Sequence, residues 1–283
     1  MIPVYYNPMQ SVRENDSFSP SAGKPEQVVA AWRELALPLI FPSFAPATRD
    51  QIKWAHESSY VDAVLDGRVN NGFGNRSPAI AQALPWVCGS MLAAALCAYE
   101  RKMMTFSPTS GAHHAGYGFG GGFCTFNSLM IAGLGVHKAG AARVGIVDCD
   151  MHHGNGTENI IRELGVYFVQ HHSFAHSGAH PQQSDDEFIS EFTQALMLFR
   201  GCDLVIYNAG ADPHVDDPLG GILTTEQMRM RDFLFFLHMK EFRIPVVTAL
   251  AGGYQRDSQG SIDPVLKLHN NTILECWRVI SEY

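Results

Sequence analysis

Apolar and polar positions along this chain switch between two periods, and the switches outline its elements. Short runs of β-branched and aromatic residues predict strands over Pro3–Tyr6, Met103–Phe106, Arg143–Val147, Val166–Val169, Leu204–Tyr207 and Val246–Leu250. Longer stretches with helical spacing predict helices around Glu26–Leu35, Val87–Glu100, Phe126–Lys138, Thr157–Glu163, Asp185–Phe199, Thr225–Glu241 and Asp263–Ser281. Two of these carry start signals. "SDDEF" from Ser184 and "TTEQM" from Thr224 each join a capping hydroxyl to early acids.

Strands that alternate with helices imply a mostly parallel sheet covered by helices on both faces, a three-layer α/β fold. No repeat, low-complexity segment or linker interrupts the pattern, so residues 1–283 read as a single domain. Segments such as "VNNGFGNRSP" (Val69 to Pro78) and "GYGFGGGF" (Gly116 to Phe123) read as loops.

The polar chemistry collects at particular places on this map. "SPTSGAHHAG", "DCDMHHGNG", "NAGADPHVDDP" and "AGGYQRD" each follow a predicted strand. In an open parallel sheet, the carboxyl edge of the strands is where ligands bind. In an extended segment side chains alternate faces, so Asp148, Asp150 and His152 point the same way. An Asp-x-His pair can give one ion a carboxylate oxygen and an imidazole nitrogen, and Asp212, beyond another strand, is the natural third donor. Such a set leaves a position open for water, as a catalytic metal site requires. Asp216 and Asp217 read as turn residues. His113 and His114, framed by glycines, add acid/base capacity beside the metal. Tyr254 can donate its phenolic proton to a developing oxyanion.

Composition narrows the function classes. Apolar residues make up 46% and charged residues only 17%, enough for a sizeable core. A net charge of −8 without a Lys/Arg run argues against nucleic acid as a partner and is easier to reconcile with a cationic or neutral substrate. Six cysteines without a CxxC read as buried free thiols of a reducing compartment. No signal-peptide pattern opens the chain, and no apolar run reaches the roughly 18–20 residues of a membrane span. "GSMLAAALCAYE" reads as a core helix, and the expectation is a soluble cytoplasmic protein with no membrane partner.

Taken together, "GAHHAG" with "GFCTFNS", "DCDMHHGNGTE", "NAGADPHVDDPLGG" and "AGGYQ" resemble the zinc-dependent histone deacetylase family, within the arginase/deacetylase superfamily. "HESSYVDAV" (His56 to Val64) is similar to that family's N-terminal His-x3-Tyr segment. The wording lies nearest the compact class IV members and their bacterial relatives. The resemblance implies one Zn2+ per chain held by Asp150, His152 and Asp212. It implies His113 and His114 as tandem acid/base residues, with His114 nearer the primary role, and Tyr254 as the carbonyl-polarising residue. Asp148 then stands behind His113, next to a structural K+ in many relatives, and Asn155 stands behind His114. Phe123 and Leu219 fall at positions lining an acyl-lysine channel, and His153 is structural. Val169 lies where a family serine helps hold K+, which sets the potassium site apart as an open question. Asn155 stands where some classes carry Asp, so His114 should be less basic than with a charged partner.

What the resemblance implies for function is amide hydrolysis: removal of an acyl group, acetyl first, from an amine. The substrate is then an acyl-lysine peptide or protein, or a small acylated amine such as an acetylpolyamine. Two rivals remain. A dimanganese ureohydrolase would need a further metal-facing acid where Gly154 stands, and an inactive acyl-lysine binder would have no use for Tyr254 and the histidine pair.

Overall fold

The computed structural model describes residues 1–13, 17–174 and 184–282. In chain order the elements are β1 (Ile2–Pro3), α1 (Lys24–Arg33), β2 (Leu39–Ile40), α2 (Arg49–Ile52), α3 (Ser58–Leu65), α4 (Pro78–Arg101), β3 (Met104–Phe106), α5 (Ser128–Lys138), β4 (Val144–Asp148), α6 (Asn155–Leu164), β5 (Val169–Ser173), α7 (Asp185–Leu196), β6 (Leu204–Gly210), α8 (Thr225–Glu241), β7 (Val246–Ala251) and α9 (Asp263–Glu282). Five strands form one parallel sheet in the order β3-β7-β6-β4-β5, and β1 pairs with β2 separately. The expected α/β class is the one observed.

Strands β4, β6 and β7 are buried throughout, which is why they read as apolar runs. Alternate residues of each strand serve opposite layers. Val144, Ile146, Leu204, Ile206, Val247 and Ala249 pack with Met91, Leu129 and Ile131 of α4 and α5. Val147, Val205, Tyr207, Val246 and Leu250 pack with Trp32, Phe235, Phe236 and Ile273 of α1, α8 and α9. A Cβ on Gly145 would lie 2.5 Å from Phe199 Cδ1, so the absence of a side chain lets that ring close onto the sheet.

The predicted helix starts hold at α7 and α8. Ser184 with Glu187 and Thr224 with Gln227 each form a reciprocal capping box, a device that stabilises a helix end by roughly 1 kcal/mol. Elsewhere the boundaries move. The helix expected from Val87 begins at Pro78, capped by Ser77, and runs through Pro85 without ending. With that extension α4 is long and apolar enough to cross a membrane, contrary to the expectation that no segment is. In this fold it packs against α5, and more than half of its apolar window is buried.

The strand expected at Val166–Val169 begins instead at Val169 and runs to Ser173. Its polar centre, Gln170-His171-His172, hides the strand signal, as edge strands often do. The register sets Val169 opposite Val144 and Ser173 opposite Asp148. The serine level with Asp148 is therefore Ser173, and Val169 sits at the far end of the strand. The short helices α2 and α3 and strand β2 were not foreseen; elements of four, eight and two residues carry few positions in which to show a period.

All six cysteines carry free thiols, with only Cys97 partly exposed.

Candidate active site

Parallel strands point their carboxyl ends to one edge, so the residues after β3, β4, β6 and β7 meet there. Asp150 and His152 follow β4, and Asp212 follows β6. His152 Nδ1 lies 3.1 Å from Asp150 Oδ1 and 3.0 Å from Asp212 Oδ2. One donor atom from each of the three lies within 4.8 Å of the others. Both carboxylates are buried. Burial and the neighbouring Asp150 push the Asp212 carboxyl up, while hydrogen bonding of its ring N–H to both acids pushes His152 up to about 10. Two buried acids converging on one imidazole form a site whose negative charge calls for a cation, and the donor set fits a divalent metal with oxygen and nitrogen ligands.

The strand ends are held at close range. Cys149 N donates to Asn208 O at 3.0 Å, and a Cβ on Gly210 would lie 2.4 Å from Cys149 O and 2.6 Å from Asp150 Cα. Arg231, buried on α8, donates to Gly210 O at 2.9 Å and to Cys149 O at 3.4 Å, clamping β4 to β6 from behind the acids.

The tandem histidines differ in their partners. His113 Nδ1 lies 2.7 Å from Asp148 Oδ2, and its Nε2 faces Asp150 Oδ1 at 3.5 Å. Burial alone would lower this imidazole, but Asp148 and Asp150 outweigh it and raise it to about 9. His114 Nδ1 bonds the Asn155 Oδ1 carbonyl at 2.6 Å, so its proton belongs on Nδ1. Burial, then the charge on His113, holds His114 below its ordinary value. The two rings lie 4.2 Å apart.

Their loop rests on a buried scaffold. Asn127 caps α5 through Met130 N and also bonds Ala115 O and Thr157 Oγ1. Its backbone N–H donates to His56 Nε2 at 2.8 Å, while His56 Nδ1 bonds Gly116 O at 2.8 Å. Asp148 Oδ1 accepts from Asn208 Nδ2 at 2.7 Å and from Asp150 N at 3.3 Å, and Oδ2 faces His171 Nε2 at 3.6 Å. Oδ1 thus takes two donors, and Oδ2 takes one, His113. His153 pairs with Glu158 at 3.0 Å, away from the metal donors.

Tyr254 arrives on the turn after β7, where Gly252 and Gly253 take φ of +54° and +88°. It shares a narrow cavity with His113, His114, Phe123, Asp150, Ser19 and Ser21. Leu219 is not brought into that cavity; it stands on an exposed turn, its amide donating to Asp217 Oδ1. Asp217 turns a nearby oxygen on Tyr254 N at 2.7 Å.

Sequence reasoning missed three contributors. Asp217 read as a turn residue only, yet it fastens the Tyr254 loop. Lys24 is fully buried and its ammonium donates to Leu250 O at 2.8 Å and Gly252 O at 2.7 Å. The Ser17–Ser21 segment reaches the cavity from far along the chain, and no local motif marks it. For Asn208, adjacency to "AGAD" was a usable signal.

Residues 21–191 match the family described as "Histone deacetylase domain". An uncharacterized protein of Picosynechococcus sp. is 28% identical over 231 residues, 74% of this chain and 77% of that one. Histone deacetylase 2 of Arabidopsis thaliana is 32% identical over 196 residues, covering 61% of this chain but only 49% of the plant protein. The solved acetylpolyamine aminohydrolase of Burkholderia pseudomallei superposes with a TM-score of 0.75 over 99% of each chain at 20% identity, a likeness of fold. With the family match spanning more than half of its length, this chain belongs to the histone deacetylase domain family.

Proposed function

We propose that this chain, read as one catalytic domain over residues 1–283, is a zinc-dependent amidohydrolase that removes an acyl group, acetyl first, from a primary amine such as the lysine side chain. The observation that carries the reading is the cluster of Asp150, His152 and Asp212 beside two histidines of opposite charge preference, with His113 Nε2 3.5 Å from Asp150 Oδ1 and the His114 ring 6.0 Å from that of His152. A zinc ion held by those three residues would supply Lewis-acid polarisation of the amide carbonyl and a water of lowered pKa.

The chain's own groups divide the proton work. His114, neutral with its proton on Nδ1 toward Asn155, has Nε2 free to take a proton from the attacking water. It returns that proton to the departing amine, so the balance closes on one residue. His113, kept protonated by Asp148, adds positive charge beside the developing oxyanion. Tyr254 donates its hydroxyl to the same oxyanion; burial, followed by the nearby acids, raises this phenol and keeps it protonated. The products are a carboxylate and a free amine.

A small cationic substrate such as an acetylpolyamine is the second reading, favoured by the net charge of −8 and by the fold shared with the Burkholderia enzyme. The test is a turnover panel of acetyl-lysine peptides, longer acyl-lysine peptides and acetylated polyamines, run on zinc-loaded and Fe(II)-loaded protein and on Tyr254→Phe. Turnover of one class, lowered about a hundredfold or more in the variant, supports the reading. Stoichiometric zinc without turnover of any class sinks the substrate assignment.

A further inference from the structure

Four aromatic rings run in a row past the candidate cavity. Phe73 lies 6.2 Å from Phe123, Phe123 lies 5.8 Å from Tyr254, and Tyr254 lies 5.8 Å from Phe18, centroid to centroid. The last contact differs from the others. Phe18 and Tyr254 are near parallel, at 16°, whereas Phe123 meets Tyr254 at 48°. Phe18 itself is 55% exposed, so its ring stands at the solvent side of this row.

Two further observations bear on that ring. Among the described residues, the Tyr254 hydroxyl makes no hydrogen bond; Asp217 holds only the backbone amide. The rings packed against the phenol, Phe18 near parallel and Phe123 tilted, therefore bear on where the hydroxyl points. The segment carrying Phe18 is also tied to the same turn at a second point. Ser19 Oγ accepts from Ser21 N and closes a short turn, Val12 N donates to Ala22 O, and Lys24 then bonds Gly252 O. The backbone on each side of the stack is thus set before the rings meet.

We infer that Phe18 is a positioning residue: its ring, stacked on Tyr254, fixes the tilt of the phenol and so aims the hydroxyl into the candidate cavity. A stacked pair of this kind contributes through ring geometry, not only through buried area. Replacing the ring by a methyl leaves one face of Tyr254 open and lets its side-chain torsions spread. The kinetic consequence rests on the amidohydrolase reading; the orientation of the ring does not.

The experiment therefore has two arms on the full chain. In the first, 3-fluorotyrosine is incorporated and the Tyr254 resonance is assigned by its loss in Tyr254→Phe. Wild type should give one sharp 19F signal, Phe18→Ala a broadened or split one, and Phe18→Tyr a sharp one again. In the second, zinc-loaded protein is assayed on an acetyl-lysine peptide. Phe18→Ala should lower kcat by about tenfold to a hundredfold with KM unchanged, the scale expected for a misplaced reacting group. Phe18→Tyr should recover kcat. In a Tyr254→Phe background, Phe18→Ala should cost nothing further. A sharp, single Tyr254 signal in Phe18→Ala overturns the inference, as does an equal kcat loss in both backgrounds or a change confined to KM. If wild type turns over no substrate, the functional reading fails and the fluorine arm alone decides the role of Phe18.

Discussion

Asp217 accepts the backbone amide of Tyr254 at 2.7 Å through Oδ2 and the amide of Leu219 at 3.0 Å through Oδ1. One carboxylate thus joins the turn after β6 to the turn that presents the phenol. Asp217→Asn keeps the shape but can accept only one of the two amides. A hydrogen bond to a charged acceptor contributes about 1.5–3 kcal/mol, so kcat should fall about tenfold or more. Steady-state kinetics on zinc-loaded protein, with unchanged circular dichroism, checks this; wild-type kcat in the variant refutes it.

The metal cluster makes a second prediction. Asp212→Asn removes one of the two buried charges that face His152. Wild type equilibrated with zinc and dialysed should retain one ion per chain by atomic emission, and the variant far less. Zinc at a hundredfold excess over its Kd stabilises the wild type by about 2.7 kcal/mol, so a chelator should lower its Tm by several degrees. The variant's Tm should not respond.

A third prediction concerns acid. His56 is buried, accepts from Asn127 N and bonds Gly116 O, and burial lowers its pKa from 6.5 to about 4. Between those values the unfolded chain binds a proton that the folded chain refuses, so stability is full above pH 6.5 and falls as pH drops toward 4. The shift corresponds to about 3 kcal/mol at most. Urea titrations at pH 7 and pH 5 on wild type and His56→Gln should show the wild type losing its advantage at the lower pH. A constant difference between the two proteins would count against it.

Gly252 tests the closeness of β6 and β7 at the site. Its φ is +54°, and a Cβ there would lie 2.2 Å from Asp212 Oδ1. Gly252→Ala should incur about 1–2 kcal/mol of backbone strain and displace a metal donor as well. Competition against a chromophoric chelator should show weakened zinc binding, with a smaller effect from Gly260→Ala, where φ is also positive but no atom lies within 4 Å.

Much of this molecule was legible in the chain. A strand buried on both faces must be apolar throughout, so β4, β6 and β7 announced themselves within a few residues of their ends. Ser184 and Thr224 cap because hydroxyl and Glu or Gln stand three residues apart, a local relationship. The donors Asp150, His152 and Asp212 were visible because ligand chemistry in a parallel sheet collects after strands. Less was visible where the partner is distant. The helix read from Val87 begins at Pro78 and runs through Pro85, whose carbonyl accepts Ala47 N from a neighbouring loop. The polar run His171-His172 concealed an edge strand for the same reason: its signal is the pairing with β4, not its own composition.

The division has one physical cause. Period, capping and the polarity of strand ends act over a few residues, so the sequence by itself determined the α/β class, the edge on which chemistry gathers and the identity of its ionisable groups. Tertiary structure decided how those groups behave. Asp148 rather than Asn155 faces His113, which separates two adjacent histidines into a charged and a neutral one. Lys24, more than two hundred residues from Gly252 in sequence, fastens the turn that carries Tyr254. Phe18 reaches the same phenol from a segment that bears no motif. Contacts of that span depend on how the layers pack, and packing is a property of the whole chain.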